Sequence, residues 1–196
     1  MVLAYNSYME VNFYSLEELN ESQLNSIVQM HMIALPNSAL SNSGIKNLLF
    51  FYRAVAKNSS YLTRVAIIEG RCVGVILLKN KTSFLKLGEI QFLFKILSTN
   101  ILKMKFFMIY DLIVLFFYRF LVSYDAWIEI LFVDEHYFNL GIGKKLFSEI
   151  ISNKENNFRV FLNYNKKNLI AESFYRKIGF RKTFVNRRIV IVAYTN

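Results

Sequence analysis

The residues best suited to chemistry lie in the second half of the chain. Gly141-Ile142-Gly143 stands between an apolar run, Trp127 to Val133, and a helical pattern from Gly143 to Asn153, with a polar bend, Asp134 to Asn139, in front of it. Glycines let the backbone approach an oxyanion closely and adopt positive φ. The first N–H groups of a helix have no partner within it. A phosphate can therefore accept hydrogen bonds from the turn Phe138-Asn139-Leu140-Gly141-Ile142-Gly143. Lys144 and Lys145 add positive charge in the first turn, which the helix dipole disfavours and a bound anion would offset. The pattern also fits a plain strand-to-helix turn. It lacks the third glycine and downstream acid of a dinucleotide fingerprint and the Gly-Lys-Ser/Thr ending of a P-loop.

Glu129 is the second group with chemical potential. Strand alternation over Trp127 to Val133 places it on one face with Trp127, Leu131 and Val133. A carboxylate desolvated among Trp127, Ile128, Ile130 and Leu131 titrates higher, toward the range of a general acid or base. The plainer alternative is a strand Glu that faces solvent or a lysine. His31 falls on a helical pattern as a core or rim residue, and His136 falls in the bend before the glycine turn as an exposed loop residue. Two histidines so placed, with Cys72 the only cysteine, point to no metal site and allow no disulfide within the chain.

The elements that must position these groups follow from the pattern. Met9 to Tyr14 alternates as a strand, and Ser15 before Leu16-Glu17-Glu18 starts a helix that carries Leu24, Ile27, Val28 and His31 up to Pro36. The loop Asn37 to Gly44 leads to a helix over Ile45 to Lys57. Strands Tyr61 to Ile68 and Cys72 to Leu78 are joined by Glu69-Gly70-Arg71 as a hairpin. Residues 81–122 are aromatic and basic, and are expected to form one or two amphipathic helices. The apolar stretch Phe106 to Val122 has 17 residues with Asp111 and Arg119 inside it, short of the ~20 that a spanning helix needs. An interfacial helix or one packed on the sheet is expected instead. Strand Trp127 to Val133, a helix, strand Arg159 to Tyr164, helix Lys167 to Ile178 and closing strands Arg181 to Val185 and Arg188 to Tyr194 complete a mixed α/β order.

The bulk properties bound the rest. A chain of 196 residues suits one domain with a proper core. Its 54% apolar content excludes disorder. The net charge of +10 favours an anionic partner. Nucleic acid is not expected, because there is no zinc-finger spacing or RNP-type strand and the aromatics lie in apolar, core-like runs. The opening Met1 to Asn6 has no signal-peptide pattern, so a reducing, cytoplasmic setting is expected.

The run VDEHYFNLGIGKKL resembles the acyl-CoA-binding motif of the GNAT superfamily of N-acetyltransferases: a strand ending in Val, a bend, then Arg/Gln-x-x-Gly-x-Gly/Ala opening a helix. NLIAESFYRKIGF resembles the superfamily's second motif through Asn168, Ala171, Tyr175, Gly179 and Phe180. The detailed match spans about 127–181, and the element order extends it over nearly the whole chain. The resemblance implies a strongly twisted mixed sheet of about seven strands flanked by helices. A helical, aromatic-rich insert at 81–122 would lie between the third and fourth strands of a single acyltransferase domain, 1–196.

The resemblance also implies a mechanism. Acetyl-CoA would be held by backbone groups of Leu131, Phe132 and Val133 on its pantetheine arm, and by Phe138, Asn139, Leu140, Gly141, Ile142, Gly143 and Lys144 on its pyrophosphate. Phe138 stands where the family has Arg or Gln, so backbone N–H groups and Lys144 or Lys145 would carry the binding. A primary amine would attack the thioester directly, with Glu129 as base and Tyr175 as acid near the cofactor sulfur. Asn168 would face the cofactor arm, or cap a helix. The acceptor would meet Leu35 to Gly44, with Asn37, Ser38 and Glu129 as substrate-binding residues, and part of the insert. Leu35-Pro36-Asn37-Ser38 followed by Gly44 and an aromatic helix resembles bacterial members associated with surface-polysaccharide and amino-sugar synthesis. An amino sugar, nucleotide-linked in one version, is therefore the expected acceptor, with a protein N-terminus or lysine, or a non-catalytic acyl-CoA-binding protein, as alternatives. The insert would cover the acceptor or dock on the anionic inner membrane face, and a homodimer is compatible with the pattern.

Overall fold

A computed structural model describes residues 10–81 and 106–196. The expected strand start at Met9, the opening Met1 to Asn6 and residues 82–105 of the expected insert lie outside the described residues. Seven strands, β1 (Asn12–Tyr14), β2 (Tyr61–Ile68), β3 (Arg71–Asn80), β4 (Ala126–Val133), β5 (Arg159–Asn165), β6 (Arg181–Val185) and β7 (Ile189–Thr195), form one sheet in the order β1-β2-β3-β4-β5-β7-β6. Every neighbouring pair is antiparallel except β4 and β5.

The near-continuous apolar runs of β2 and β3 reflect burial on both faces. Their turn, Glu69-Gly70, has φ of 48° and 77°, the doubly positive geometry whose twist matches a two-residue hairpin. The helices are α1 (Glu21–Ala34), α2 (Ala39–Asn42), α3 (Ile45–Ala56), α4 (Phe106–Leu121), α5 (Ile142–Ile151) and α6 (Leu169–Lys177). Helices α5 and α6 cover one face, where Ile142, Leu146, Phe147, Ile150, Ile151 and Tyr175 join the side chains of Ile76, Leu78, Val160 and Val192. On the other face α1 and α3 bury Ile27, Val28, Leu48 and Tyr52 over β2, β3 and β4. Helix α4 covers the rest of that face through Leu115 and Tyr118, above Trp127, Phe161, Ile189 and Ile191. The mixed sheet and its helical insert between β3 and β4 therefore stand as expected.

Two details differ. The helix expected from Ser15 is only a 3-10 turn over Leu16–Glu18, closed by a Ser15–Glu18 capping box. The Leu16 N–H donates to Thr63 Oγ1 at 3.0 Å, tying that turn to β2. A second capping box, Asn20 with Gln23, then starts α1 afresh. The loop after Pro36 also holds the one-turn helix α2, capped by Ser38.

Candidate acetyl-CoA and acceptor site

Strand β4 is where the sheet opens. Its parallel pairing with β5 runs through Ala126↔Val160 and Trp127↔Phe161 and goes no further, while its antiparallel pairing with β3 continues to Val133. Leu131, Phe132 and Val133 thus lie on the stretch that has parted from β5. The register with β3 passes from Leu77↔Ile130 to Leu78↔Ile128, so Glu129 is the extra residue of a β-bulge. The bulge changes the parity of everything beyond it. Leu131 and Val133 pack with the α5/α6 side. Ile130 and Phe132 pack with α1 and α3, on the face that holds Trp127. The expected grouping of Glu129 with Leu131 and Val133 is therefore corrected: Glu129 shares its face with Trp127 alone of those three.

Nor is Glu129 sunk among apolar side chains. Its Oε1 accepts a hydrogen bond from Arg119 Nη1 of α4 at 2.9 Å, and the two side chains are 28% and 31% exposed. The Arg119 guanidinium in turn sits over the Trp127 ring, 4.2 Å from its centroid. Tyr124 meets Trp127 edge-on at 5.6 Å. Burial pushes the Tyr124 phenol up, Arg119 pulls it down and Glu129 adds to the rise.

After β4 the chain makes a 3-10 turn over Glu135–Tyr137, with Asp134 accepting from the His136 N–H at 3.0 Å. Tyr137 anchors the bend on the core. Phe138 and Leu140 stand out at 45% and 51% exposure, and Asn139 and Gly141 have φ of 64° and 78°. Gly141 is the N-cap of α5, and no side chain caps that helix. The first N–H groups of α5 therefore face an approach lined by backbone, with Lys144 and Lys145 exposed beside them. Gly143 has a packing reason as well. A Cβ there would come within 3.0 Å of the Phe174 ring, so glycine lets α5 seat closely against α6.

Asn168 is the N-cap of α6, its side chain accepting from the Ala171 N–H at 3.0 Å, which is the capping role weighed for it above. Tyr175 is buried, stacked on Tyr164 of β5 at 5.9 Å and edge-on to Phe180. Burial pushes its phenol well above the ordinary value, and the neighbouring Tyr164 adds to the rise. Glu129 and Tyr175 lie on opposite faces of the sheet and flank the opening between β4 and β5; the structure does not bring them into contact.

Of the residues expected to meet an acceptor, Asn37 is exposed and Ser38 is half-buried at the end of a hydrogen-bonded chain. Ser38 Oγ donates to Ser41 Oγ at 2.9 Å, and Ser41 Oγ donates to the Leu35 carbonyl at 2.7 Å. The proton of Ser38 being spent, His31 Nε2 must donate to Ser38 Oγ (3.2 Å), which leaves His31 Nδ1 to accept from the Tyr52 hydroxyl (2.7 Å). His31 is fully buried, and burial lowers its pKa to about 4. Its ring meets Phe132 of β4 edge-on at 5.6 Å, so one neutral imidazole ties the Leu35–Ser41 loop to the opened strand. The sequence reading had His31 as core or rim and missed this chain, although Ser38 and Ser41 lie only seven and ten positions on. It also missed Arg119 as the partner of Glu129, which no local pattern could give.

No cluster of residues able to hold a metal ion occurs among the described residues. A comparison with curated proteins finds no match. The sequence model of the acetyltransferase (GNAT) domain family matches residues 105–182. Among solved structures, the chain resembles a PaiA N-acetyltransferase from Thermoplasma acidophilum in complex with coenzyme A, at TM-score 0.59 and 15% identity, over 96% of this chain and 100% of that one. It also resembles the ribosomal-protein-S18-alanine N-acetyltransferase from Escherichia coli, at TM-score 0.57 and 13% identity, over 95% and 94%. The Campylobacter jejuni N-acetyltransferase PseH matches at TM-score 0.54 and 12% identity, over 95% and 98%. Identities this low speak for the fold alone; the match over 105–182 adds the sequence signature, which spans β4, the glycine turn and α6. The chain thus shares its fold with GNAT acetyltransferases, and over 105–182 it resembles their domain family in sequence.

Proposed function

We propose that the chain is a single-domain acetyltransferase that moves an acetyl group from acetyl-CoA directly to a primary amine. The observation that carries this is the coincidence of two openings. Strand β4 parts from β5 after Trp127, and α5 begins at Gly141 with no side-chain cap. The first suits an extended amide-bearing arm, the second a pyrophosphate. Leu131, Phe132 and Val133 would hold the arm, and the backbone from Phe138 to Lys144 the phosphates. The Phe138 N–H is taken by the Glu135 carbonyl at 3.1 Å, so the donors would come from the backbone after it, and Lys144 supplies charge. Bound acetyl-CoA provides an activated thioester; the protein's part is to orient the amine and to move protons. Glu129, held by Arg119, would accept the proton of the ammonium. Tyr175, its phenol pushed well above the ordinary value by burial, would serve the departing sulfur as a weak acid. Asn168 would shape the same wall by starting α6.

The acceptor would enter over Asn37, Ser38 and Glu129, on the face of the sheet opposite α5 and α6. An amino sugar remains our favoured acceptor, supported by the basic charge. A protein amine is the alternative, and the Escherichia coli neighbour bears a protein substrate in its name. Free-thiol release from acetyl-CoA in the presence of glucosamine, nucleotide-linked amino sugars, spermidine and alanine-terminated peptides decides between them. A non-catalytic binder would be stabilised by acetyl-CoA yet release no thiol with any amine.

A second reading concerns α4. Ile113, Phe116, Phe117, Phe120 and Leu121 form an exposed apolar stripe on it. No described helix is long and apolar enough to cross a membrane. A net charge of +10 complements anionic lipid, so we assign the stripe to the headgroup boundary of an anionic membrane surface.

A further inference from the structure

We propose that Arg119 makes this enzyme selective for amines that carry an anionic group, phosphate or carboxylate, close to the amine. The inference rests on the acetyltransferase reading and on Glu129 as the group that meets the acceptor. Helix α4 wears its polarity inside out. From Ile113 to Leu121 Arg119 is the only charged residue, yet it turns to the sheet and Phe116, Phe117 and Phe120 turn to solvent. There the guanidinium carbon lies over the Trp127 ring, 4.2 Å from its centroid. One edge is engaged by Glu129 at 2.9 Å. Its Nε is buried and has no hydrogen-bond partner among the described residues, a costly state for a donor. The protein thus fixes a guanidinium beside the candidate base; its Nε is closed to solvent, and a ligand would meet the part that leaves the side chain 31% exposed.

A simple ammonium arriving at Glu129 would meet the Arg119 charge and would have to displace it. An amine with a neighbouring anion spans the pair instead, ammonium to Glu129 and anion to Arg119, and both charges are met. The basic field of the chain draws the same class of molecule. Wholly structural use of Arg119, as a clip between α4 and β4, would give the contact but no such preference.

The test compares acceptors that differ only in phosphate: ethanolamine with O-phosphoethanolamine, and glucosamine with glucosamine 6-phosphate. Wild-type kcat/KM is expected to favour the phosphorylated member by about tenfold or more. Arg119→Gln should bring that ratio near one while leaving KM for acetyl-CoA unchanged, and Arg119→Lys should retain part of the preference. The inference is overturned if the wild type shows no preference, if the preference survives Arg119→Gln, or if another, uncharged amine is acetylated and neither pair is. Should Arg119→Gln fail to fold, the wild-type ratio and Arg119→Lys decide. Absence of thiol release with every amine, phosphorylated or not, is a different result and sinks the acetyltransferase reading.

Discussion

At the scale of single residues, the groups that matter are those whose protonation the fold has set. His31 is neutral because burial opposes its charge, with a pKa lowered to about 4 from the ordinary 6.5. Between those values the unfolded chain binds a proton that the folded one refuses, so stability rises with pH across pH 4 to 6.5 and is complete above it. The contribution lost on acidification is about 3 kcal/mol. Urea unfolding of the wild type at pH 7 and pH 5 should show about 2 kcal/mol of that fall, the rest coming below pH 5. His31→Gln should be less stable at pH 7 but should lack this part of the slope, and an identical slope would show that another group causes it. Glu129 was legible in the sequence as a lone acid in an apolar strand. Its face was not, because the bulge that turns it toward Arg119 leaves the apolar alternation of its neighbours looking regular. If it is the base, Glu129→Gln should lower kcat by about 10²–10⁴ and keep the thermal stabilisation by acetyl-CoA. Full activity in that variant would remove Glu129 from the mechanism.

Among the elements, the strand–turn–helix from β4 to α5 was the most legible part of the chain. Two glycines, a polar bend and an apolar helix face all pointed one way. What the pattern could not convey is that the two glycines do different work. Gly141 is needed for its φ of 78°, where a Cβ costs about 1–2 kcal/mol. Gly143 has an ordinary helical place and is needed because Phe174 of α6 fills the space a side chain would take. Gly143→Ala should therefore push α5 away from α6. Destabilisation of about 1–3 kcal/mol is expected, and a Phe174→Leu change should relieve part of it. Additive effects in that double-mutant cycle would mean that the contact does not limit the packing. Spacing was equally silent on the start of α1. Ser15 signalled a helix correctly but only for one turn, because the chain goes extended at Leu19 and Asn20, where Asn20 caps α1 afresh.

For the molecule as a whole, charge and the surface of α4 act together. The apolar stretch from Phe106 was expected either at an interface or on the sheet, and its helix does one with each side: Leu115 and Tyr118 join the core, whereas Phe120 and Leu121 remain 78% and 79% exposed. Large aromatics left in water from Phe116 to Phe120 are a liability unless something covers them. An anionic lipid surface suits both the stripe and the charge of +10. Binding should then need both terms. The wild type is expected to sediment with phosphatidylglycerol vesicles at low salt, to do so less as salt screens the charge, and to stay in solution with phosphatidylcholine alone. Phe116→Ser with Phe120→Ser should weaken vesicle binding by about tenfold or more, since each ring buried in lipid contributes on the order of 1–2 kcal/mol. Both positions are exposed, so the melting temperature should hardly move. Equal sedimentation of the double variant would leave charge as the whole attraction and take the stripe out of it, whereas a large loss of stability would mean that the stripe is packed against the protein itself.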